Sequence, residues 1–379
     1  MHIASLIGLF TLASIATCET RRLLLGDADR GRNVFRSQQC ATCHSVNREG
    51  GKIGPDLAQM AERGFTPCGM TAVLWNHAPA MWKTLEKTGT AQPKLTRQQA
   101  ADLFIYFFAM RYFERPGDAR RGERVFREQK CGQCHGINDS LGNGVVPVRD
   151  WQSPEHPIVL AQQMWSHPSD VWITLRPAAT PFPHLTPEGL TDMLVYLRSV
   201  MGRHDSGYFM PGSPEEGRKL FVVKGCAACH EGNRSLEGRP TRYTLNDFSA
   251  AMWNHPQPAL PERISVSTGE MRRLVGYLIS AQFFEEHGNA GRGKLLFRKK
   301  RCVECHESPS GRVLERTAMA GRMTSYDMMA VLWNHGPAMN KTMGIRKINW
   351  PRFDGAEMAD LTAYLHGYEF KRRAPVMLP

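Results

Sequence analysis

The sequence predicts an all-α protein built of four tandem small helical domains. Three observations lead to this prediction: one pattern recurs four times along the 379 residues, an amphipathic segment opens every copy, and another closes it. The chain is too long for one ordinary domain, and its 42% of hydrophobic residues suffices for folded cores. The four copies, called units 1 to 4 below, lie at residues 24–115, 116–210, 211–286 and 287–379.

Every unit opens with a glycine, then a phenylalanine four residues later, then a cysteine five residues after that. Apolar side chains in this stretch recur at helical spacing, which predicts a helix that leads into the cysteine. The recurring residues are Gly31, Phe35 and Cys40; Gly122, Phe126 and Cys131; Gly217, Phe221 and Cys226; and Gly293, Phe297 and Cys302.

The middle of every unit contains a tryptophan, one intervening residue and a histidine. Apolar residues precede the tryptophan, and a proline follows the histidine within two residues, so we predict a helix that ends near this proline. The four copies of this Trp-x-His element are Trp75-Asn76-His77, Trp165-Ser166-His167, Trp253-Asn254-His255 and Trp333-Asn334-His335.

The end of every unit is a segment that we predict to be an amphipathic helix. A tyrosine occupies the same place in all four copies, at Tyr106, Tyr196, Tyr277 and Tyr364. Unit 3 is the shortest of the four, which indicates that it has lost part of a loop.

Eight of the ten cysteines lie in four C-x-x-C-H motifs, one in each unit. A zinc site would need paired C-x-x-C units, and a disulfide framework would distribute its cysteines differently. Two thiols about one helical turn apart can bond the two vinyl groups of one porphyrin, and the adjacent histidine then faces the iron. The motifs therefore predict four haem c groups. The attachment cysteines are Cys40, Cys43, Cys131, Cys134, Cys226, Cys229, Cys302 and Cys305, and the proximal histidines are His44, His135, His230 and His306.

The repeats resemble the class I cytochrome c family over nearly the whole chain after the leader. The resemblance rests on the Gly/Phe helix before C-x-x-C-H, on Gly54-Pro55-Asp56-Leu57 after the first motif, and on the closing helix with its tyrosine. It implies small helical domains, each wrapped around one haem. In that family a methionine just before the closing helix binds the iron. The corresponding segments here, 92–95, 182–185, 262–264 and 350–353, contain no methionine.

The Trp-x-His element offers the best substitute for the missing methionine, because it supplies one imidazole in every unit. We therefore predict His77, His167, His255 and His335 as distal iron ligands. The alternatives are a packing or capping role for these histidines, an open iron, or a mixed set of ligands. In the mixed set, Met81 and Met339, four residues beyond their histidines, would serve units 1 and 4.

Two other residue types have simpler interpretations. The recurring tryptophans are large apolar bodies that we expect to cover a haem face or edge. Cys68, which lies outside the motifs, is interpreted as a small buried apolar side chain.

The chain is basic, with a formal net charge of +12 and a pI of about 9.3. Haem propionates would offset part of this charge, and no nucleic-acid motif is present, so we do not expect a nucleic-acid partner. A basic surface favours redox partner proteins with acidic docking surfaces.

The first 18 residues resemble a signal peptide, since residues 3–16 are an uncharged apolar run. Ile15-Ala16-Thr17-Cys18 loosely resembles a lipoprotein cleavage site, so a membrane tether through Cys18 is an alternative to a free mature chain. No later stretch is long enough to span a membrane. These features predict a periplasmic or otherwise extracytoplasmic protein.

The functional hypothesis is a tetrahaem electron carrier rather than an enzyme, because two protein ligands leave the iron no place for a substrate. One alternative is a multihaem reductase or peroxidase with one open iron, for which the short unit 3 is the candidate. Another is a haem subunit of a membrane oxidoreductase complex.

Overall fold

The computed structural model describes residues 24–58, 65–110, 117–142, 144–151, 157–175, 181–202, 210–237, 243–255, 264–283, 286–306 and 323–367. Within these ranges the fold is all-α, as predicted, and the only strands are β1 (Ser45–Val46) and β2 (Glu49–Gly50), which pair antiparallel. The expected leader and Cys18 lie outside these ranges. Among the helices of the described ranges, none combines the length and the apolar character that crossing a membrane requires.

The described helices follow the repeat. Unit 1 contains α1 (Ala28–Ser37), α2 (Cys40–Cys43), α3 (Pro67–Lys87) and α4 (Arg97–Met110). Unit 2 contains α5 (Ala119–Glu128), α6 (Pro157–Ser166), α7 (Pro168–Leu175) and α8 (Pro187–Met201). Unit 3 contains α9 (Pro214–Val223), α10 (Cys226–Cys229), α11 (Leu245–Trp253) and α12 (Thr268–Ala281). Unit 4 contains α13 (Ala290–Lys299), α14 (Val303–His306), α15 (Ser325–Ile345) and α16 (Gly355–Gly367).

The opening and closing helices of each unit cross in close contact, α1 with α4, α5 with α8, α9 with α12 and α13 with α16. The recurring glycine lies at the crossing. A Cβ atom on Gly31 would collide with the Asp102 carbonyl and with the Cβ of Tyr106, and the same collision recurs at the other three crossings. The backbones therefore approach closely enough to require glycine, which explains why glycine and tyrosine recur together.

An ion pair joins the same two helices beside each crossing. Arg121 binds Asp192 with both Nε and Nη2, at 2.7 and 2.9 Å. The corresponding pairs are Arg30 with Asp102 and Arg292 with Asp360. Unit 3 reverses the charges, because Glu216 replaces the arginine and faces Arg273 at 3.7 Å. Since both partners changed together, the interaction is kept in the most divergent unit.

The closing helix of unit 1 differs from the prediction. Helix α4 is buried on all sides from Ala100 to Met110 instead of having a polar face. Its outer side is covered by other units: Phe104 packs against Phe283 of unit 3 and Tyr326 of unit 4, at ring-centroid distances of 4.7 and 5.9 Å. From Leu103 to Met110 the helix carries apolar side chains on every side, which suits this central position.

The predicted end of the middle helix is correct in unit 2, where α6 ends at Ser166. It is wrong in units 1 and 4, where α3 and α15 continue past Pro79 and Pro337. An interior proline deprives the carbonyl four residues earlier of its hydrogen-bond donor. Here these carbonyls find donors in side chains of other units. Trp350 Nε1 donates to the carbonyl of Trp75 at 3.0 Å, and Gln92 Nε2 donates to that of Trp333 at 2.9 Å.

The helix crossing leads to a first prediction. Gly122→Ala should lower the free energy of unfolding by about 1–3 kcal/mol, because the new methyl group must displace backbone of α8. Gly269→Ala is the matched control, since a Cβ there meets nothing within 4 Å and Gly269 lies in the first turn of α12. Chemical denaturation of the two variants measures both effects, and equal stabilities would contradict the role given to the helix crossing.

The ion pairs predict an acid-dependent loss of stability. Hydrogen bonds from Arg121 and Arg292 lower the pKa of Asp192 and of Asp360. A carboxyl whose folded pKa lies below its unfolded value, about 3.9, stabilises the fold above that value and loses this contribution as the pH falls further. The stability difference between the unmodified protein and Asp192→Asn should therefore shrink from pH 7 to pH 3.

The control for this measurement is Asp139→Asn, which changes an exposed aspartate in the same unit. Its stability should match that of the unmodified protein across the range. A gap for Asp192→Asn that stays constant with pH would contradict the role given to the ionised carboxylate.

Candidate functional site

The four C-x-x-C-H motifs adopt the same turn. The residue before the first cysteine is left-handed in all four units, at Gln39, Lys130, Gly225 and Arg301, with φ between 60° and 80°. A helical turn follows, and the backbone N–H of the motif histidine donates to the carbonyl of the first cysteine at 2.9–3.0 Å. The opening helix thus ends in a reversal that presents two thiols and one imidazole together.

The two thiols of a motif differ in their surroundings. Partial burial raises the pKa of the first cysteine in all four units, to about 11 for Cys40, Cys131 and Cys302. The first thiol is therefore protonated at neutral pH.

The motif histidines are oriented through Nδ1. His44 contacts the carbonyl of Pro55 at 3.0 Å, His135 that of Val146 at 3.1 Å, and His230 that of Arg234 at 3.3 Å. A carbonyl at this distance accepts a proton from Nδ1, which leaves the Nε2 lone pair for a metal. The residues after the fourth motif, 307–322, lie outside the described ranges.

Each motif histidine faces the Trp-x-His histidine of its own unit. The ring centroids are 5.8–6.5 Å apart, and the ring planes are inclined by 56–62°. A metal ion that binds two imidazoles at about 2 Å each holds their ring centroids about 6 Å apart. The pairs are His44 and His77, His135 and His167, His230 and His255, and His306 and His335.

Burial favours the neutral form of several of these rings. It lowers the pKa of His77 and of His255, and the motif histidine opposite each lowers it further. The pKa values of His135 and His306 are lowered by burial as well. Neutral imidazole is the form that binds metal.

The tryptophans of the Trp-x-His elements form hydrogen bonds between units. Each indole N–H donates to a backbone carbonyl just before the closing helix of another unit, at 2.7–2.8 Å. The acceptors are Pro351 for Trp75, Ile264 for Trp165, Pro183 for Trp253 and Pro93 for Trp333. These segments correspond to the place where the class I cytochrome c family, which the repeats resemble, has its iron-binding methionine.

The residues around the histidine pairs fit a haem. Two facing imidazoles would supply the two protein ligands of a haem iron, and the two cysteines of each motif precede the motif histidine in the same turn. Gly54 packs against the ring of His44, where any Cβ would collide with it. The buried indole N–H of Trp82 has no hydrogen-bond partner among the described residues, and a haem carboxylate is an acceptor of the required kind.

The positions of the alternative ligands, Met81 and Met339, follow from the length of helices α3 and α15. Because α3 and α15 run past their prolines, Met81 and Met339 lie one turn beyond His77 and His335. Both methionines are partly buried and pack against apolar core clusters. Cys68 is fully buried, as expected, with its thiol 3.4 Å from Ser325 Oγ of unit 4.

Sequence reasoning missed the residue between the tryptophan and the histidine. Asn76, Asn254 and Asn334 each bind the backbone N–H and C=O of one residue in another unit. The signal was available, since asparagine recurs at this position in three of the four units.

Comparison with known proteins bears on the first half of the chain. The cytochrome c family model matches residues 28–107 and 119–201, which lie in units 1 and 2. A comparison with curated proteins and one with solved structures each return no match. Each matched segment contains an opening helix, a C-x-x-C-H motif, a Trp-x-His element and a closing helix. The first half of the chain therefore contains two segments that are similar to cytochrome c domains, at residues 28–107 and 119–201.

Proposed function

We propose that this chain is an extracytoplasmic tetrahaem electron carrier in which every iron is bound by two histidines. The observation that carries the proposal is the facing histidine pair, which recurs in all four units at 5.8–6.5 Å. Units 3 and 4 contribute the same C-x-x-C-H turn and the same helix crossing as units 1 and 2. This repetition supports four haem groups rather than two.

The protein residues divide the work at each site. In a haem-loaded site, the cysteines of the motif would anchor the porphyrin, and the motif histidine would bind the iron with its orientation fixed by the carbonyl at Nδ1. The Trp-x-His histidine would supply the second protein ligand. Haem iron with two such ligands gains and loses single electrons and has no open position for a substrate.

Histidine is favoured over methionine as the distal ligand in units 1 and 4. The ring of His77 faces that of His44, and the ring of His335 faces that of His306, at the separation that one shared metal requires. Units 2 and 3 have Val171 and Ala259 where units 1 and 4 have Met81 and Met339, yet their histidines face each other in the same way. One ligand set therefore accounts for all four sites.

Location and partners follow from the family and the charge. Covalent haem c is assembled outside the cytoplasm in the family that the chain resembles, and an apolar leader precedes unit 1. The net charge of +12 favours redox proteins with acidic docking surfaces. A tether through Cys18, a role as subunit of a membrane oxidoreductase, and a reductase or peroxidase with one open iron are the competing assignments.

The distal assignment predicts the outcome of a matched pair of variants. His77→Ala should convert one of four haems from low spin to high spin in the oxidised protein, because it removes one iron ligand. Met81→Leu, one turn further along α3, should leave all four low spin. Electron paramagnetic resonance separates the two spin states, and a high-spin signal from Met81→Leu with none from His77→Ala would contradict the assignment.

Carbon monoxide distinguishes the carrier from the enzyme. The ferrous unmodified protein should bind no stoichiometric carbon monoxide, since both axial positions are taken at every site. His255→Ala provides the positive control, because it opens the site in unit 3 and should bind one equivalent. Uptake of one equivalent by the unmodified protein, measured by optical titration, would favour the reductase or peroxidase instead.

A further inference from the structure

We infer that the four haem-binding sites form two reciprocal pairs, units 1 with 4 and units 2 with 3, in which each unit positions the distal histidine of the other. The inference rests on the proposed function for the role of these histidines. The pairing does not follow the order of the units along the chain, because units 1 and 4 are the most distant in sequence.

The first half of the 1–4 pair is the contact of helix α3 with unit 4. Trp75 Nε1 donates to the carbonyl of Pro351 at 2.7 Å. Asn76 donates through Nδ2 to the carbonyl of Phe353 at 2.7 Å and accepts the N–H of the same residue at 3.0 Å. The two residues that precede His77 are thus bound by the segment before α16.

The second half repeats these contacts with the units exchanged. Trp333 Nε1 donates to the carbonyl of Pro93 at 2.8 Å. Asn334 donates to the carbonyl of Leu95 at 2.8 Å and accepts its N–H at 3.0 Å. The two residues that precede His335 are thus bound by the segment before α4, so each unit binds the other in the same way.

Unit 3 is bound by unit 2 through the same contacts. Trp253 Nε1 donates to Pro183 at 2.7 Å, and Asn254 donates to the carbonyl of Leu185 at 2.7 Å and accepts its N–H at 3.1 Å.

The reverse contact, in which unit 2 is bound by the segment before α12 of unit 3, uses a different side chain in place of the asparagine. Trp165 Nε1 donates to Ile264 at 2.8 Å. Ser166 stands where the other units have asparagine, and Gln162, one turn earlier, donates to the carbonyl of Val266 at 3.3 Å. A different side chain therefore supplies the bond to the residue equivalent to Leu185. Because unit 2 keeps this bond although it lacks the asparagine, we infer that the contact between units 2 and 3 helps to position the site.

The tryptophans also contact the partner unit's distal histidine. The Trp165 ring lies 5.4 Å from that of His255, and the Trp253 ring lies 6.2 Å from that of His167. In the 1–4 pair, the indole of Trp82 packs against Gly336, the residue after His335, so closely that a Cβ on this glycine would collide with it. Each distal histidine is therefore set by contacts that cross the pair.

Among the described residues, the contacts between units 1 and 3 that join the two pairs lie outside the Trp-x-His elements, although one of them, from the Cys68 N–H to Glu286 at 3.0 Å, begins on helix α3. Arg272 binds Asp29 at 2.6 Å, and Phe283 packs on Phe104 and Phe108 at 4.7 and 5.0 Å. These residues lie on or next to the opening and closing helices. A change in one pair should therefore reach the histidines of that pair and leave those of the other pair in place.

The test compares two matched variants of the haem-loaded protein, Asn76→Ala in the 1–4 pair and Asn254→Ala in the 2–3 pair. Electron paramagnetic resonance of the oxidised protein reports each low-spin haem separately, because its g values depend on the orientation of the two axial rings. The four distal His→Ala variants assign the signals, since each removes one of them.

We expect Asn76→Ala to shift the signal of site 1, because Asn76 precedes His77, and that of site 4, because its partner Phe353 packs in one core cluster with Cys302. Asn254→Ala should likewise shift sites 3 and 2, because its partner Leu185 packs in one cluster with Cys131. Each variant should leave the signals of the other pair unchanged. Trp75→Phe, which keeps an aromatic side chain but removes the N–H donor to Pro351, gives the same readout if Asn76→Ala fails to fold. A shift at site 1 alone, or at sites 1 and 2 together, would overturn the pairing. Ligation is read from the g values of the unmodified protein and pairing from which signals move together, so the proposed function and this inference fail in distinguishable ways.

Discussion

The bond from each tryptophan indole to a carbonyl of another unit is the interaction on which much of the structure depends. It fixes the segment that carries the histidine of the Trp-x-His element, and it occurs four times at 2.7–2.8 Å. The carbonyls that Pro79 and Pro337 deprive of donors are satisfied from the same interfaces, by Trp350 and Gln92. Isolated units would leave these groups to water. The four units therefore pack against one another through specific hydrogen bonds and are not independent domains.

Within each unit, the crossing of opening and closing helices performs the complementary task. The opening helix leads directly into the C-x-x-C-H turn, and the closing helix packs against it at the recurring glycine. In unit 3 the ion pair is reversed to Glu216 and Arg273, and the glycine is present at Gly217. The shortest unit thus has the same helix crossing as the others. This is a physical reason to include it among the proposed electron-transfer sites rather than to single it out as catalytic.

Much of the fold and of the candidate site could be predicted from local sequence patterns. Residues that recur within each unit predict the all-α fold, the helix at every opening and closing segment, and the pairing of His44 with His77. The predictions that were wrong concern features that depend on contacts between units. The polar face expected on α4 is absent because units 3 and 4 cover it, and the helix end expected at Pro79 is absent because Trp350 supplies the missing donor. Sequence periodicity describes one helix and its nearest neighbours, so it could not show which units pair.

Near-infrared magnetic circular dichroism of the oxidised, unmodified protein tests the proposed ligation most directly. Each ferric low-spin haem gives a charge-transfer band whose energy depends on its axial ligands, and a thioether ligand gives a band distinct from that of two imidazoles. The account predicts bands of bis-imidazole haem with the intensity of four sites and none of thioether ligation. A thioether band, or intensity from fewer than four bis-imidazole haems, would contradict it.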